Sequence, residues 1–386
     1  MDNLTPPTVR IFIAAAEDSA DVHAAALLRT AATELPNCSF HGLTGPRMTD
    51  AGAETIFDLT SHAAMLTGVV SILGRALKAV KAVEESWDRE PPDLAIFLDS
   101  PELNLRLAKK ARARGIPVLY YIAPQTWASR AGRNRLISKT VDRLACILPF
   151  EQEYFRRAGV DAEFVGHPLF KTLRREAPDH KTVSRLRAGG DPLTAIMPGS
   201  RRHVIDSVLP RQLDVLHKLR RGGVDVRAAV SAVSDSRAEQ IRRIVDQSRI
   251  DAEIIVDDNA SLLSAADLVL TASGTATLHV AYYRKPMIVM YEAGRLLRWI
   301  HPLLGRYIIK TPHLSLVNIL GKRRIVPEFM PFIRDTEEIA RVARQLLDDE
   351  SWRSLMIAQL EEIVRPLEDA DADTNVCRII REMLSA

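Results

Sequence analysis

Short, unbroken apolar runs recur along this chain and limit its fold more than any other feature. In the first half they read VRIFIAA (9–15), LAIFLDS (94–100) and PVLYYIA (117–123). Runs without polar alternation are typical of strands buried on both faces, as in a parallel sheet covered by helices. Helical patterns such as LNLRLAKKARARG separate them. This alternation predicts βαβ units and a doubly wound α/β sheet.

The same rhythm occurs a second time after a basic, polar stretch. Apolar runs resume in LTAIMPGS, ADLVLTASG and PMIVMYEAG. A chain of 386 residues is also too long for one ordinary core. We therefore predict two α/β domains, at 1–172 and 193–350, joined by a linker at 173–192. C-terminal helices at 351–386 would pack back on the first domain or on a partner subunit. The pattern from Asp335 to Ser385 reads as one long helix interrupted near Pro366.

Composition and charge limit the class of protein. A formal net charge of +3, from 52 Lys and Arg against 49 Asp and Glu, argues against a general nucleic-acid binder. The scattered Cys38, Cys146 and Cys377 form neither a disulfide framework nor a metal pattern, which favours a reducing, cytoplasmic compartment. The N-terminus lacks a signal-peptide pattern, and no apolar window suits a spanning helix. A peripheral membrane contact stays open.

Two turns in the second half are candidate phosphate sites, because open parallel sheets bind ligands beyond the carboxyl ends of their strands. In IMPGSRRHVI (196–205), Gly199 permits close backbone approach and Arg201 supplies positive charge. An ordinary turn with solvated arginines is equally compatible. In LTASGTATLHV (270–280), small residues open a helix whose N–H groups suit a phosphate, or they merely cap that helix.

The phosphate fingerprints of common nucleotide folds are missing. The sequence has neither G-x-G-x-x-G nor G-K-[ST] after a strand. This argues against a standard dinucleotide fold or a P-loop NTPase. A nucleotide held by its diphosphate between two domains fits better.

Polar residues after two strands of the first half are candidates for hydroxyl binding or proton transfer. Glu17, Ser19 and Asp21 follow the first apolar run, and Asp99 ends another. A buried carboxylate at a strand end makes a better general base than a free one. Helix capping is the commoner role for such residues. In SLVNIL (315–320), a buried Asn318 needs either a ligand or a backbone turn to satisfy it.

Two segments combine apolar and cationic residues at helical spacing. They read MLTGVVSILGRALKAVKAV (65–83) and GRLLRWIHPLLGRYIIK (294–310). Such segments suit an anionic membrane surface or an acyl chain. A core-facing helix with a solvated basic side is the usual alternative for one such stretch.

Taken together, the motifs resemble lipid-A-disaccharide synthase, an inverting glycosyltransferase (family 19) of the two-domain GT-B architecture. The resemblance runs from about Val9 to the C-terminal helix. It is carried by HGLTGPRM, DSPELNLRLAKKARARGIPVLYYIAPQTWA, DRLACILPFEQEYF, FVGHPL, MPGSR, TASGTATL and SLVNIL followed by VPE. It implies two Rossmann-like domains facing across a cleft, the first binding the acceptor and the second the donor.

The resemblance also implies a reaction. UDP-2,3-diacylglucosamine and 2,3-diacylglucosamine 1-phosphate would give lipid A disaccharide 1-phosphate and UDP, with no metal or other cofactor. The implied partners are these two substrates and an anionic membrane surface, at the inner face of the inner membrane, but no nucleic acid. A homodimer stays open.

Residue roles follow from the same resemblance. Asp99 matches the family's general-base candidate, and we place Glu17 and Asn318 with it as catalytic residues. The expected substrate-binding residues are Ser19, Asp21, Arg201, Ser273, Gly274, Thr275 and His279.

Several positions depart from the family pattern, including a glutamine expected after VPE that is replaced in the run Phe329, Met330, Pro331. Ala16 and Ala20 replace glycines, so any left-handed backbone there would be strained. Val204 replaces an acid, and His279 replaces a glutamate that commonly holds the ribose hydroxyls. Two alternatives therefore stay open: a related GT-B enzyme with another UDP-sugar or lipid acceptor, and a non-catalytic descendant that binds lipid or nucleotide.

Overall fold

The computed structural model describes residues 9–59, 69–128, 130–293 and 313–385. By its internal contacts the chain divides into two compact units. The first unit comprises Met1–Pro168 and Glu368–Ala386, and the second comprises Leu169–Leu367. In the part of the chain that the structure describes, no helix is long and apolar enough to cross a bilayer.

The first unit is built on a parallel sheet of seven strands within the described residues, in the order β3-β2-β1-β4-β5-β6-β7. The strands are β1 (Val9–Ala15), β2 (Cys38–Thr44), β3 (Glu54–Asp58), β4 (Leu94–Leu98), β5 (Val118–Tyr121), β6 (Arg143–Cys146) and β7 (Ala162–Phe164). Its helices are α1 (Asp18–Glu34), α2 (Pro46–Asp50), α3 (Val69–Arg89), α4 (Pro101–Ala113), α5 (Asn134–Thr140) and α6 (Pro149–Arg156).

The prediction that the apolar runs are strands buried on both faces is confirmed. The three runs of the first half form β1, β4 and β5. Along β1, Ile11 and Ile13 enter one core cluster, whereas Phe12 enters the cluster on the opposite face of the sheet. All three side chains are fully buried. Alternate residues of a strand point to opposite faces, so both faces had to be apolar.

The second unit repeats this plan with its own parallel sheet, in the order β10-β9-β8-β11-β12-β13. The strands are β8 (Leu193–Met197), β9 (Arg227–Ala232), β10 (Glu253–Val256), β11 (Leu268–Ala272), β12 (Met287–Met290) and β13 (Glu328–Phe329). The helices from residue 168 onward are α7 (Pro168–Leu173), α8 (His180–Arg187), α9 (Arg202–Arg221), α10 (Asp235–Ser248), α11 (Asn259–Ala265), α12 (Ala276–Tyr282), α13 (Leu316–Gly321), α14 (Thr336–Asp348), α15 (Glu350–Glu368) and α16 (Ala372–Leu384).

The stretch predicted as a linker, 173–192, is a packed part of the second unit. It contains α8, which lies against α11. Asp179 caps α8 by accepting hydrogen bonds from the N–H groups of Lys181 and Thr182, and its own N–H donates to Ser261 Oγ at 2.7 Å. The basic composition that suggests a linker belongs to the solvated face of this helix.

The prediction of a single long helix from Asp335 to Ser385 is wrong, because three helices occupy that range. The breaks fall at Asp349 and before Ala372, whereas Pro366 lies inside α15. At each break an aspartate caps the next helix. Asp349 accepts from the N–H of Trp352 at 2.9 Å, and Asp371 accepts from the N–H of Thr374 at 3.2 Å. Short carboxylates compete with helix continuation in this way.

The two cationic apolar segments lie wholly or partly outside the described residues. This holds for all of 294–310 and for residues 65–68. The remainder of the first segment enters α3, where Ala79, Val83 and Trp87 face the core. Leu77 is instead 58% exposed.

Candidate active site

Each sheet has one point where the strand order reverses direction. In the first sheet it lies between β1 and β4, and in the second between β8 and β11. Ligands of open parallel sheets bind beyond the strand ends at such switch points. The loop with Glu17 follows β1 and the Asp99 turn follows β4, whereas the Arg201 turn follows β8 and Gly274 follows β11. The structure thus brings the predicted turns together as two pairs, one in each unit.

The Asp99 turn has an unusual backbone. Asp99 and Ser100 both adopt left-handed conformations, with φ of 48° and 43°. Such conformations cost non-glycine residues about 1–3 kcal/mol each and persist only where the surroundings enforce them. Because this strain sits at the carboxyl end of a buried strand at the switch point, it supports a functional role for the turn.

Two side chains that the sequence analysis missed hold this turn. The carbonyl oxygen of Asp99 accepts hydrogen bonds from the Tyr120 hydroxyl at 2.5 Å and from the Asn104 amide at 2.9 Å. Asn104 is fully buried and also donates to the carbonyl of Leu98 at 2.8 Å. Burial raises the pKa of Tyr120 well above its usual value, so its hydroxyl stays a donor.

The loop after β1 divides its polar residues between solvent and core. Glu17 is the N-terminal residue flanking α1, with an extended backbone and an exposed side chain that makes no capping bond. Ser19 is also exposed on the first helical turn. Both side chains are therefore accessible to a ligand.

Asp21 is fully buried and performs a different task. Its carboxylate accepts hydrogen bonds from the N–H groups of Arg47 and Met48, at 3.1 Å each, and so caps α2. We therefore assign Asp21 a structural role in holding α2 against the loop, instead of a contact with a substrate. The strain considered for Ala16 and Ala20 is absent, because neither alanine has a positive φ in this structure.

The turn after β8 requires a glycine. Gly199 has a φ of 96°, and an added Cβ would lie 3.2 Å from Val204 Cγ1 and 3.5 Å from the Cβ of Ala272 at the end of β11. The two turns of this switch point are therefore in close contact. Arg201 is the extended residue that directly precedes α9, and its side chain is exposed. It forms no ion pair with any residue that the structure describes.

The turn after β11 presents backbone. Gly274 has a φ of 138° and no neighbour near the position of a Cβ. Thr275 precedes α12 without making a side-chain capping bond, and Ser273 is half-buried. The alternative in which these hydroxyls merely cap the helix therefore lacks its hydrogen bond. Thr277 instead donates back to the Gly274 carbonyl at 2.9 Å.

His279 lies on α12 with its side chain only 12% exposed. Its ring tilts against Tyr283, with 5.7 Å between the ring centres. Nε2 lies 3.7 Å from a carboxylate oxygen of Glu176, too far for a hydrogen bond, and it makes none to the described residues. Burial lowers the pKa of His279 to about 4, so the imidazole is neutral near pH 7.

Asn318 is fully buried, and the protein itself occupies its amide group. The amide nitrogen donates to the Val326 carbonyl and to Glu328, at 2.9 and 3.0 Å. The amide oxygen accepts from the N–H groups of Ile325 and Val326, at 2.7 and 2.9 Å. These four bonds fill the side chain's capacity. The backbone-turn alternative thus accounts for Asn318, and we assign it the positioning of Glu328.

Glu328 is a further polar centre that the sequence analysis left without a role. Its carboxylate accepts hydrogen bonds from the N–H and hydroxyl of Ser315, at 3.0 and 2.7 Å. Ser315 precedes α13, so the negative charge lies at the positive end of a helix dipole. Within the described ranges, no group of three His, Cys, Asp or Glu residues could hold a metal ion.

Comparison with known proteins identifies the family. A family model described as lipid-A-disaccharide synthetase matches residues 11–373, nearly the whole chain. The chain belongs to this family. A lipid-A-disaccharide synthase of Myxococcus xanthus (strain DK1622) is 34% identical over 385 residues, covering 98% of both proteins. Lipid-A-disaccharide synthase 1 of Legionella pneumophila (strain Paris) is 32% identical over 378 residues, covering 97% of both.

Solved structures agree on the fold of this lipid-A-disaccharide synthetase family member. The calicheamicin glycosyltransferase CalG4 matches with a TM-score of 0.61 at 13% identity, over 98% of both chains. MurG of Acinetobacter baumannii matches with a TM-score of 0.56 at 16% identity, over 98% of this chain and all of that one. Identities this low establish only the fold, and they confirm the predicted GT-B class.

Proposed function

We propose that this chain is a lipid-A-disaccharide synthase. It joins UDP-2,3-diacylglucosamine to 2,3-diacylglucosamine 1-phosphate and releases UDP and a disaccharide 1-phosphate. The observation that carries the proposal is the strained Asp99 turn at the first switch point, in a chain that matches the family over residues 11–373. A protein that only binds lipid has no need to hold a carboxylate in so costly a conformation.

The acceptor binds to the first unit, with Asp99 as the general base. The Asp99 carboxylate takes the proton of the acceptor 6-hydroxyl while that oxygen bonds to the anomeric carbon of the donor. The bond from this carbon to the diphosphate breaks, and its electron pair leaves with UDP. In-line attack inverts the anomeric centre. Glu17 and Ser19, exposed beside the turn, bind acceptor hydroxyls.

The donor diphosphate binds at the second switch point. Gly199 and Gly274 let backbone approach the phosphates, and Ser273 and Thr275 flank that approach. The exposed Arg201 guanidinium balances negative charge as it builds up on the leaving diphosphate.

His279 contributes one hydrogen bond to a ribose hydroxyl. Its buried Nε2 has no partner among the described residues, and the neutral ring can donate or accept there. A carboxylate at this position would accept from both ribose hydroxyls, so we expect weaker ribose binding than in family members with glutamate.

Both substrates carry acyl chains, so the enzyme works on a membrane surface, which we place at the inner face of the inner membrane. The exposed Leu77 beside Lys78 and Lys81 on α3 supports this placement. Apolar residues interleaved with cations suit anionic lipid headgroups.

The test is UDP release by the full chain from UDP-2,3-diacylglucosamine, with and without the acylated 1-phosphate acceptor. We expect release only when the acceptor is present. Protein that is folded and binds UDP, yet releases none with the acceptor, would overturn the proposal. Acceptor-dependent release from a different UDP-sugar alone would identify the related enzyme considered from the sequence.

A further inference from the structure

A cavity of about 230 Å³ in the first unit lies beside the Asp99 turn. Its walls are the start of α4 and the segment after β5, and they include Glu102, Gln125, Arg130 and Arg133. We refer to it as the arginine pocket. None of these four residues has a role in the reaction described above.

Two guanidinium groups in this pocket converge on one point. Arg130 and Arg133 each place a nitrogen 2.8 Å from the same oxygen, Oε1 of Glu102. The hydrogen bond from Arg133 is the main reason that the pKa of Glu102 lies below its usual value. Donors that meet at a single oxygen form the arrangement that binds an oxyanion, and Glu102 occupies it here.

The bond to Glu102 is exchangeable. The side chains of Glu102 and Arg130 are 66% and 63% exposed, and that of Arg133 is 29% exposed. Exposed ion pairs of this kind contribute little to stability, so a better anion can replace the carboxylate. A phosphomonoester carries about 1.5 to 2 negative charges at pH 7 and three strong acceptor oxygens, against one charge on Glu102.

The backbone around the pocket adds to its positive potential. The 13-residue helix α4 begins here, and its N-terminal flanking residue Ser100 makes no side-chain capping bond. The Ser100 hydroxyl is buried, with the residue 8% exposed, and has no partner among the described residues. Arg130 adopts a left-handed conformation, with φ 62°. Strain of this kind is typical of ligand-binding residues.

We propose that the arginine pocket binds the phosphate of the phosphorylated acceptor, and that Glu102 is an internal anion that the phosphate displaces. This rests on the proposed function. In the acceptor, the 1-phosphate and the 6-hydroxyl group are attached on the two sides of the ring oxygen. The base and the phosphate site must therefore lie within one sugar of each other. Asp99 and Glu102, three residues apart on one turn, meet that requirement.

The experiment compares two acceptors with the full chain: 2,3-diacylglucosamine 1-phosphate and the same sugar without phosphate. In Arg133→Gln and in Arg130→Gln we expect the KM for the phosphorylated acceptor to rise about tenfold, with kcat nearly unchanged. The KM for the phosphate-free acceptor should stay constant. Arg157→Gln is the control, because Arg157 is an exposed arginine paired with Glu153 elsewhere in the same unit.

Glu102→Gln should change the KM for the phosphorylated acceptor in the opposite direction. Removing the internal anion should lower the KM for the phosphorylated acceptor severalfold, whereas an ion pair with a merely structural role would leave it unchanged or raise it. Equal changes in KM for both acceptors, or no change in either arginine variant, would overturn the proposal. Inorganic phosphate should compete with the phosphorylated acceptor in the wild type and less in Arg133→Gln. Competition by inorganic phosphate without any KM change would assign the pocket to free phosphate and also overturn it.

If the wild type releases no UDP with either acceptor, the proposed function fails while the pocket can still be tested. Binding of glucosamine 1-phosphate to the full chain would then be measured by calorimetry. Weaker binding in Arg133→Gln than in Arg157→Gln supports the pocket, and equal binding overturns it.

Discussion

Both switch points have turns with positive φ values, but different types of residue adopt them in the two units. In the second unit, Gly199 and Gly274 take the positive φ values of 96° and 138°. In the first unit, Asp99 and Ser100 take left-handed conformations although both have side chains. Glycine adopts positive φ values without a steric penalty, whereas residues with a Cβ are strained there. A turn that offers backbone to a phosphate can use glycine, but a turn that offers a carboxylate cannot.

The strained turn needs support that the glycine turns do not. Asn104 and Tyr120 both donate to the Asp99 carbonyl and fix the peptide in place. At the second switch point, contact with Val204 and Ala272 sets the space around Gly199 instead. The backbone of the turn is thus held by directed hydrogen bonds at the first switch point and by close packing at the second.

Asp99→Asn should have the largest effect, because it should lower turnover at the first switch point and leave UDP binding at the second unchanged. The amide keeps the size of the side chain but cannot take the proton, so turnover should fall by about 100-fold or more. Binding of UDP, measured by calorimetry, should not change. Asp161→Asn, at an exposed carboxylate of the same unit, serves as the control. Turnover within threefold of the wild type would remove Asp99 from the role of base.

Gly199→Ala tests the packing at the second switch point. The new Cβ meets both a left-handed backbone and the Val204 side chain, so the free energy of unfolding should drop by about 3 kcal/mol, and UDP affinity should fall with it. Gly223 has a similar φ of 79° with open space around it. In urea unfolding, Gly223→Ala should therefore lose only the free energy that corresponds to backbone strain, without the contribution from a steric contact. Equal losses in both variants would mean that the contact with Val204 is unimportant.

We expect the stability of the first unit to depend on pH because of Glu151. It is buried, accepts hydrogen bonds from Trp127 Nε1 at 2.9 Å and from the N–H of Leu148 at 3.1 Å, and burial raises its pKa from 4.5 to about 7. The folded state therefore binds this proton more tightly than the unfolded state. The stability from Glu151 is fully present below pH 4.5 and is lost as the pH rises through about 7.

The measurement compares wild type with Glu151→Gln, which keeps an acceptor for Trp127 and has no charge to bury. Between pH 5 and pH 8 the wild type should lose about 2 kcal/mol of unfolding free energy relative to the variant. Unfolding by urea, followed by tryptophan fluorescence, reports the difference. Parallel pH profiles for the two proteins would contradict the buried titration.

Ser100→Gly should give the smallest effect and the opposite sign to Gly199→Ala. Glycine removes the strain at φ 43°, and this gain exceeds the extra entropy of the unfolded chain by about 0.5 kcal/mol. A small rise in the midpoint of thermal unfolding is expected. A lower midpoint would show that the turn is not strained as its dihedral angles indicate.

Local patterns in the sequence identify the strands and the turns, because burial on both faces leaves an unbroken apolar run. They fail where a side chain acts on a distant segment. Asp21 looks like a ligand-binding acid, but its carboxylate caps a helix that begins 25 residues later. Tyr120 lies in an apolar run and looks like core, although its hydroxyl holds Asp99. Asn318 is recognisable as a buried amide, but only the structure shows that Val326 and Glu328 satisfy it.

The position of α16 has a consequence for the order of synthesis. Its residues Val376, Ile379 and Ile380 join Ala24 and Leu27 of α1 in one core cluster, and α1 and α16 are separated by the whole second unit along the chain. During translation, α1 emerges with the early strands, but its apolar partner leaves the ribosome only after the second unit has been made. The first unit to be synthesised is thus the last to complete its core. Until then, the nascent chain exposes an apolar surface of the kind that chaperones bind.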